Sequence, residues 1–184
     1  MTLKITNGFH HITMVATHPP RTLAFYRELM GLPLVKQTVN QDDATTKHLF
    51  WAHYDGKGVG PNSSLTLFGW PHSTHRARPG SGQTHHIAFR ASSEEEQLEW
   101  RDHLMSMGIG VSPVMDRMYF KSSCFQAPDG LLVEVATDGP GFVVDEESEA
   151  LGRRLQLPPW LEKARDEIEG SLQTLEVEVG NPHA

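Results

Sequence analysis

Cysteine is nearly absent from this chain: Cys124 stands alone among 184 residues. One thiol can form no internal disulfide, which excludes the stapled frameworks of small secreted domains and fits a reducing compartment. Long apolar runs are missing too. None approaches the ~20 residues that span a bilayer, and the opening MTLKITNGF has no apolar centre of the secretory kind. A cytoplasmic protein is expected. Positive charge is scarce, with 16 Lys and Arg against 23 Asp and Glu, a net −7. Neither a nucleic-acid backbone nor an anionic membrane is therefore an expected partner. One residue type runs against these scarcities. Eleven histidines invite a metal hypothesis without establishing it.

Two histidine pairs begin apolar runs, "GFHHITMVA" and "GQTHHIAFR", and they superpose when the chain is shifted over itself by 75 positions. His10, His11 and Ile12 fall on His85, His86 and Ile87. Ala16, Leu23, Leu29 and Met30 then meet Ala91, Leu98, Leu104 and Met105, for seven identities in 21 positions. Self-similarity of this kind marks a duplicated supersecondary unit. Each copy opens with a strand, 10–16 or 85–91, and continues through a polar turn into an amphipathic helix. Ser92 or Ser93 serves as N-cap of the second helix, Glu94, Glu95 and Glu96 suit its first turn, and Gly108 ends it. Three further strands are expected in each copy: 33–39, 48–54 and 64–70, then 109–114, 119–126 and 131–136.

The chain thus divides into a first βαβββ module (1–70), a Gly/Pro-rich linker (71–82), a second βαβββ module (83–138) and a C-terminal extension (139–184). The extension carries a helix at about 160–173 and ends in a frayed tail, 177–184. The fold class is α+β. His53, His72, His75 and His103 read as loop-borne or solvated.

Alternation decides which histidine of each doublet faces a cavity, because strand neighbours point to opposite faces. Ile12 and Met14 share the face of His10, and Ile87 and Phe89 share that of His85. These belong under the helices, which leaves His11 and His86 on the opposite face. In "GLLVEVATD", Glu134 lies between Val133 and Val135, where an unpartnered carboxylate is costly to bury. Its partner is either a cation such as Arg90 or a metal shared with the two imidazoles. Aligning Pro61-Asn62 with Pro128-Asp129 puts Leu67 opposite Glu134, so the first module offers no fourth ligand. Two histidines and one carboxylate with open positions are the facial set of non-haem Fe(II).

These features resemble the vicinal oxygen chelate superfamily, the group of glyoxalase I, extradiol dioxygenases and fosfomycin-resistance proteins. The resemblance rests on the paired modules, the "HHI" strand openings and the "PDG-LLVEV" ending. A closer resemblance is to glyoxalase-like ring-cleaving dioxygenases associated with hydroquinones. It is carried by "GFHHITMVATHPPRTLAFYRELMGLPLVKQTVNQDD" at one end. At the other it runs from "HHIAFRASSEEEQLEWRDHLMSMGIGVSPVMDRMYF" through "ATDGPGFVVDE" to "LPPWLE". That family has four modules, of which this chain matches the first and last.

The resemblance implies one half-open mixed β-barrel around a metal held by His11, His86 and Glu134. It implies Fe(II), with Mn(II), Zn(II) or Ni(II) as the other candidates. A small dihydroxylated aromatic and dioxygen would be the reactants, and the assembly a homodimer. Where extradiol enzymes carry a tyrosine ten residues before the glutamate, this chain has Cys124. Tyr119 is the other tyrosine candidate, and His48 the candidate acid or base. Phe50, Leu67 and Phe125 are candidate walls for the ring. Two alternatives stand beside this reading: a metal-dependent isomerase, epimerase or lyase, and a metal-free small-molecule binding protein.

Overall fold

The computed structural model describes residues 8–73 and 76–174; the expected tail at 177–184 and His75 lie outside them. Each half opens on the strand that its histidine doublet heads. The first, β1 (His11–Ala16), ends in a polar turn. Pro19 and Pro20 then suit the start of a helix, because their fixed φ is helical and the missing N–H has no partner there anyway. The helix α1 (Pro19–Ala24) continues as a π-helical turn, Phe25–Leu29, that buries Phe25 and Tyr26. Three strands follow: β2 (Leu34–Val39), β3 (Lys47–Trp51) and β4 (Ser64–Gly69).

The second half repeats this order with β5 (His86–Ala91) and α2 (Glu94–Ser106). Ser93 is the N-cap of α2, its hydroxyl accepting the Glu96 N–H at 3.1 Å. Gly108 closes the helix at φ +77°, a conformation that suits glycine. The strand expected at 109–114 does not form. Pro113 has no N–H to donate, and Gly108 and Gly110 weaken the approach. Ser112 still donates its N–H to the Cys124 carbonyl at 2.9 Å. Pairing resumes only in the two residues of β6 (Met115–Asp116), ahead of β7 (Lys121–Gln126) and β8 (Leu132–Thr137). The extension forms short 3-10 turns and one helix, α3 (Arg165–Ser171), in place of the longer helix expected at 160–173.

The eight strands form two four-stranded mixed sheets, ordered β1-β4-β3-β2 and β5-β8-β7-β6. In each, the first strand pairs parallel with the last and lies at an edge; the other pairs are antiparallel. Among the described residues no ladder joins the sheets. What joins them is packing. Tyr26 lies against Trp51 of the first sheet (ring centroids 5.5 Å apart), and its neighbour Phe25 against Phe125 of the second (6.3 Å). One hydrophobic cluster therefore serves both halves, with Leu49, Trp51, Leu67, Leu104 and Val133 essentially inaccessible. Each such side chain contributes roughly 1.5–3 kcal/mol of burial.

A polar joint lies beside this core. The Asp129 carboxylate accepts from the Thr17 hydroxyl (2.8 Å), the Thr17 N–H (3.3 Å) and the Thr22 hydroxyl (3.0 Å). His103, on α2 rather than in a loop, bridges by its Nε2 to the Leu29 carbonyl at 3.1 Å. Gly69 permits a close approach to Pro19, whose Cγ would lie 2.5 Å from any added Cβ.

Candidate metal centre

Glu134 sits in β8, an interior strand of the second sheet, paired with Ala88 on one side and Cys124 on the other. Its neighbours Val133 and Val135 point into the core, so alternation sends its carboxylate to the other face, which carries His86, Ala88 and Arg90. The residue is 5% exposed. A carboxylate that deep needs a partner. Its partner is the His86 imidazole, with Nε2 3.0 Å from Oε2. Arg90 is not involved, because its guanidinium makes a forked ion pair with Asp138.

That separation suits a shared cation. A neutral imidazole nitrogen and a carboxylate oxygen are donor types that hold a divalent ion. His86 Nε2 and Glu134 Oε2 approach from adjacent parallel strands.

The doublets share one further feature that strand alternation had not suggested. His85 Nδ1 meets His86 Nδ1 at 2.9 Å with the rings nearly perpendicular (88°), and His10 meets His11 in the same way at 2.8 Å and 82°. Both leading histidines are exposed rather than packed under the helices. Each engages Nδ1 of its neighbour, and in His86 that leaves Nε2 to face Glu134. The recurrence of "HH" at a 75-residue offset was the available signal.

The first sheet presents a matching face: His11, Thr13, Val15, Ser64, Thr66, Phe68, His48 and Phe50. The ladder sets His11 opposite Ser64 and His86 opposite Leu132, so the counterpart of Glu134 is Thr66, not Leu67. A ladder is counted from its paired strands, and the loops preceding β4 and β8 differ by one residue in that count. Leu67 points into the core and is inaccessible, as is Phe125, so neither can wall a cavity on the histidine face. Thr66 donates its hydroxyl to Thr13 at 2.8 Å, which satisfies it locally. The first module thus provides no fourth acidic ligand, though the residue responsible differs from the one expected.

His48 lies between the rings of Phe50 and Phe68 at 4.1 and 4.4 Å, with Nε2 buried and unpartnered among the described residues. Burial first, and then the nearby charge of His11, holds its pKa below the ordinary imidazole value. That shift favours the neutral imidazole. Cys124 borders Glu134 with its thiol pKa pushed up, by burial and then by that carboxylate. Tyr119 lies away from this pair. Its hydroxyl donates to Asp145 at 3.0 Å and its ring packs on Phe142, both in the C-terminal extension.

The structure thus brings two of the three expected ligands together. His11 is exposed at the head of β1, next to His10 and His48. Among the described residues no three His, Cys, Asp or Glu side chains converge as a metal-holding set. The donors present fit a cation as a two-point half-site and not as a completed centre.

Comparison with known proteins agrees with this scaffold. The family model described as Glyoxalase/Bleomycin resistance protein/Dioxygenase superfamily matches residues 8–135. A Bacillus subtilis protein provisionally named a ring-cleaving dioxygenase, MhqA, is 45% identical over 101 residues, 55% of this chain and 32% of that protein. A second from the same organism, MhqO, likewise provisionally named, is 26% identical over 309 aligned positions, 95% of this chain and 98% of that protein. That alignment is longer than this chain, so much of MhqO's interior lies opposite gaps. The chlorohydroquinone/hydroquinone 1,2-dioxygenase of Sphingobium indicum is 34% identical over 92 residues, 48% of this chain and 28% of that enzyme.

Among solved structures, a glyoxylase/bleomycin resistance protein/dioxygenase domain from a Frankia species superposes with a TM-score of 0.62 at 14% identity. It covers 73% of this chain and 99% of that one. A fosfomycin resistance protein, FosX, from Listeria monocytogenes in complex with Mn(II) superposes at 0.52 and 18% identity, covering 71% and 92%. With two βαβββ modules in sequence and in structure, and a family match across both, the chain belongs to the glyoxalase/bleomycin resistance/dioxygenase superfamily.

Proposed function

We propose that this protein is a ring-cleaving dioxygenase acting on a small dihydroxylated aromatic of the catechol or hydroquinone class. The observation that carries the reading is the His86 Nε2–Glu134 Oε2 separation of 3.0 Å at a buried carboxylate. The names of the relatives support the reaction class, and Mn(II) in FosX supports a divalent ion on this fold. His86, Glu134 and His11 are the proposed ligands and Fe(II) the proposed metal, with Mn(II), Zn(II) and Ni(II) as competitors in the same test. Such an ion would bind neighbouring substrate oxygens and bring dioxygen beside them.

The chain's own residues contribute in three ways. His85 orients His86 through the Nδ1 contact. His48, in its neutral form, can accept a proton from a phenolic hydroxyl. Phe50 and Phe68 supply aromatic surface beside it. We leave Tyr119 outside this scheme, since its hydroxyl is committed to Asp145. We also propose a cytoplasmic homodimer.

The test is elemental analysis of anaerobically purified protein, followed by oxygen uptake with a panel of catechols and hydroquinones. Iron content with oxygen consumption is expected, and His86→Ala should lose both. A full complement of metal with no oxygen uptake across the panel would move the assignment to a redox-neutral isomerase or lyase. Protein that never takes up metal would leave a binding function.

A further inference from the structure

We infer that the seam between the two modules holds a second ligand site, for a small aromatic carboxylate, apart from the histidine-bearing face. A cavity of about 360 Å³ opens there. Arg21 and Phe25 of the first module, Arg76 of the linker, and Ile109, Ala127 and Pro128 of the second module line it. None of His11, His48, His86 and Glu134 does. Its size falls in the range of about 300–1,000 Å³ that accepts small molecules.

Uncompensated positive charge is the first sign of what fits. In a chain of net charge −7, two exposed arginines from separate parts of the sequence meet at one cavity. Among the described residues neither guanidinium pairs with a carboxylate, whereas Arg90 and Arg165 pair with Asp138 and Glu162. Asp129 follows Pro128, but its carboxylate is taken up by Thr17 and Thr22.

One of the two cations is also held in place. Arg76 Nη2 donates to the Pro128 carbonyl at 3.2 Å, and the Ala77 N–H donates to the Asp129 carbonyl at 3.2 Å. The linker is thereby pinned to the β7–β8 turn. A guanidinium carries several N–H donors in a planar fork, so this anchor leaves most of the fork for an incoming carboxylate, which it matches in pairs.

Beside the charge lies an apolar floor. Phe25 and Ala127 are buried and Ile109 is half-buried, with Pro128 next to them at the rim. A bare inorganic anion would leave that surface wet, while a benzenoid ring covers it. Cation and floor together select a carboxylate carried on a ring. Such a ligand touches α1, the linker and the β7–β8 turn at once. It therefore reinforces the docking of the modules that Thr17 with Asp129 and Phe25 with Phe125 establish.

Calorimetric titration of the full chain with benzoate tests the site. Wild-type protein should bind one equivalent, and its thermal midpoint should climb as benzoate is added, because the ligand binds only the docked, folded form. Arg21→Gln and Arg76→Gln should each weaken binding by about tenfold, the loss of one charge-assisted contact. His86→Ala should bind benzoate as the wild type does. Benzyl alcohol, which keeps the ring and lacks the charge, should give no saturable heat, and inorganic phosphate should bind more weakly than benzoate.

Benzoate affinity that falls in His86→Ala, or that stands unchanged in both arginine variants, overturns the inference. So does wild-type protein of native circular dichroism that gives no saturable heat with benzoate. Phosphate bound as tightly as benzoate overturns the aromatic class and leaves an inorganic-anion site. If Arg76→Gln fails to fold once its Pro128 contact is gone, Arg21→Gln decides alone. None of these outcomes bears on the metal reading of His86 and Glu134.

Discussion

His85 touches no proposed ligand atom except Nδ1 of His86, and that contact decides which way Nε2 points. Replacing such an orienting partner lowers metal affinity by about 10–100-fold in comparable sites. His85→Ala should therefore weaken Mn(II) binding within that range. His85→Asn, which keeps a polar atom near the Nδ1 position, should recover part of it. Equal weakening in both variants would mark His85 as a packing residue only.

Tyr26 offers a second test at a single side chain. It is 1% exposed with its hydroxyl 3.2 Å from the Met14 sulfur. Burial, with the Asp129 charge adding to it, drives its pKa far above the ordinary phenol value. A group raised in the folded state stabilises the fold at pH below its unfolded pKa, here about 10. That contribution is lost as pH climbs beyond it. Ultraviolet titration should thus show Tyr26 ionising only together with cooperative alkaline unfolding. Titration of all three tyrosines before the circular dichroism changes would contradict this. Tyr26→Phe should remove the late step.

The elements follow from short local rules. The Ser93 hydroxyl accepts the Glu96 N–H, one of the free donors in the first turn of α2, and the Glu96 carboxylate accepts from the Ser92 N–H at 2.7 Å. Ser93→Ala should cost about 0.5–2 kcal/mol, read as a lower urea midpoint with an unchanged slope. Gln97 is buried on the same helix, and its amide donates to the Val135 carbonyl at 2.9 Å. It fastens α2 onto the strand that carries Glu134. The failures among the elements have causes as local as the successes. The strand expected at 109–114 was drawn from apolar residues, and Pro113 withholds the donor a ladder needs. The expected C-terminal helix contracts to α3, where Arg165 donates back to Glu162 and forward to Glu169.

Across the molecule, the two modules are held by one hydrophobic cluster and by the Asp129 joint. Asp129→Ala leaves the Thr17 and Thr22 donors without their acceptor in a partly buried place. It should destabilise by about 1–3 kcal/mol, measured by urea unfolding. Because the joint also sets how the modules sit together, that variant should alter Mn(II) binding as well, although Asp129 is no ligand. Unchanged affinity at reduced stability would confine the joint to a structural role.

Strand alternation has a period of two, which every residue carries locally, so the linear order of amino acids was enough to pick His11, His86 and Glu134 as the outward-facing set. The 75-residue repeat likewise revealed the two modules and their element order. Ladder register is another matter. It depends on how many residues the connecting loops absorb, and so Thr66 rather than Leu67 stands at the counterpart of Glu134. Phe125 turned inward for the same kind of reason, and His85 lies exposed against His86 rather than in the core. How the modules dock rests on contacts more than a hundred positions apart, Thr17 with Asp129 and Phe25 with Phe125. No local periodicity encodes such contacts.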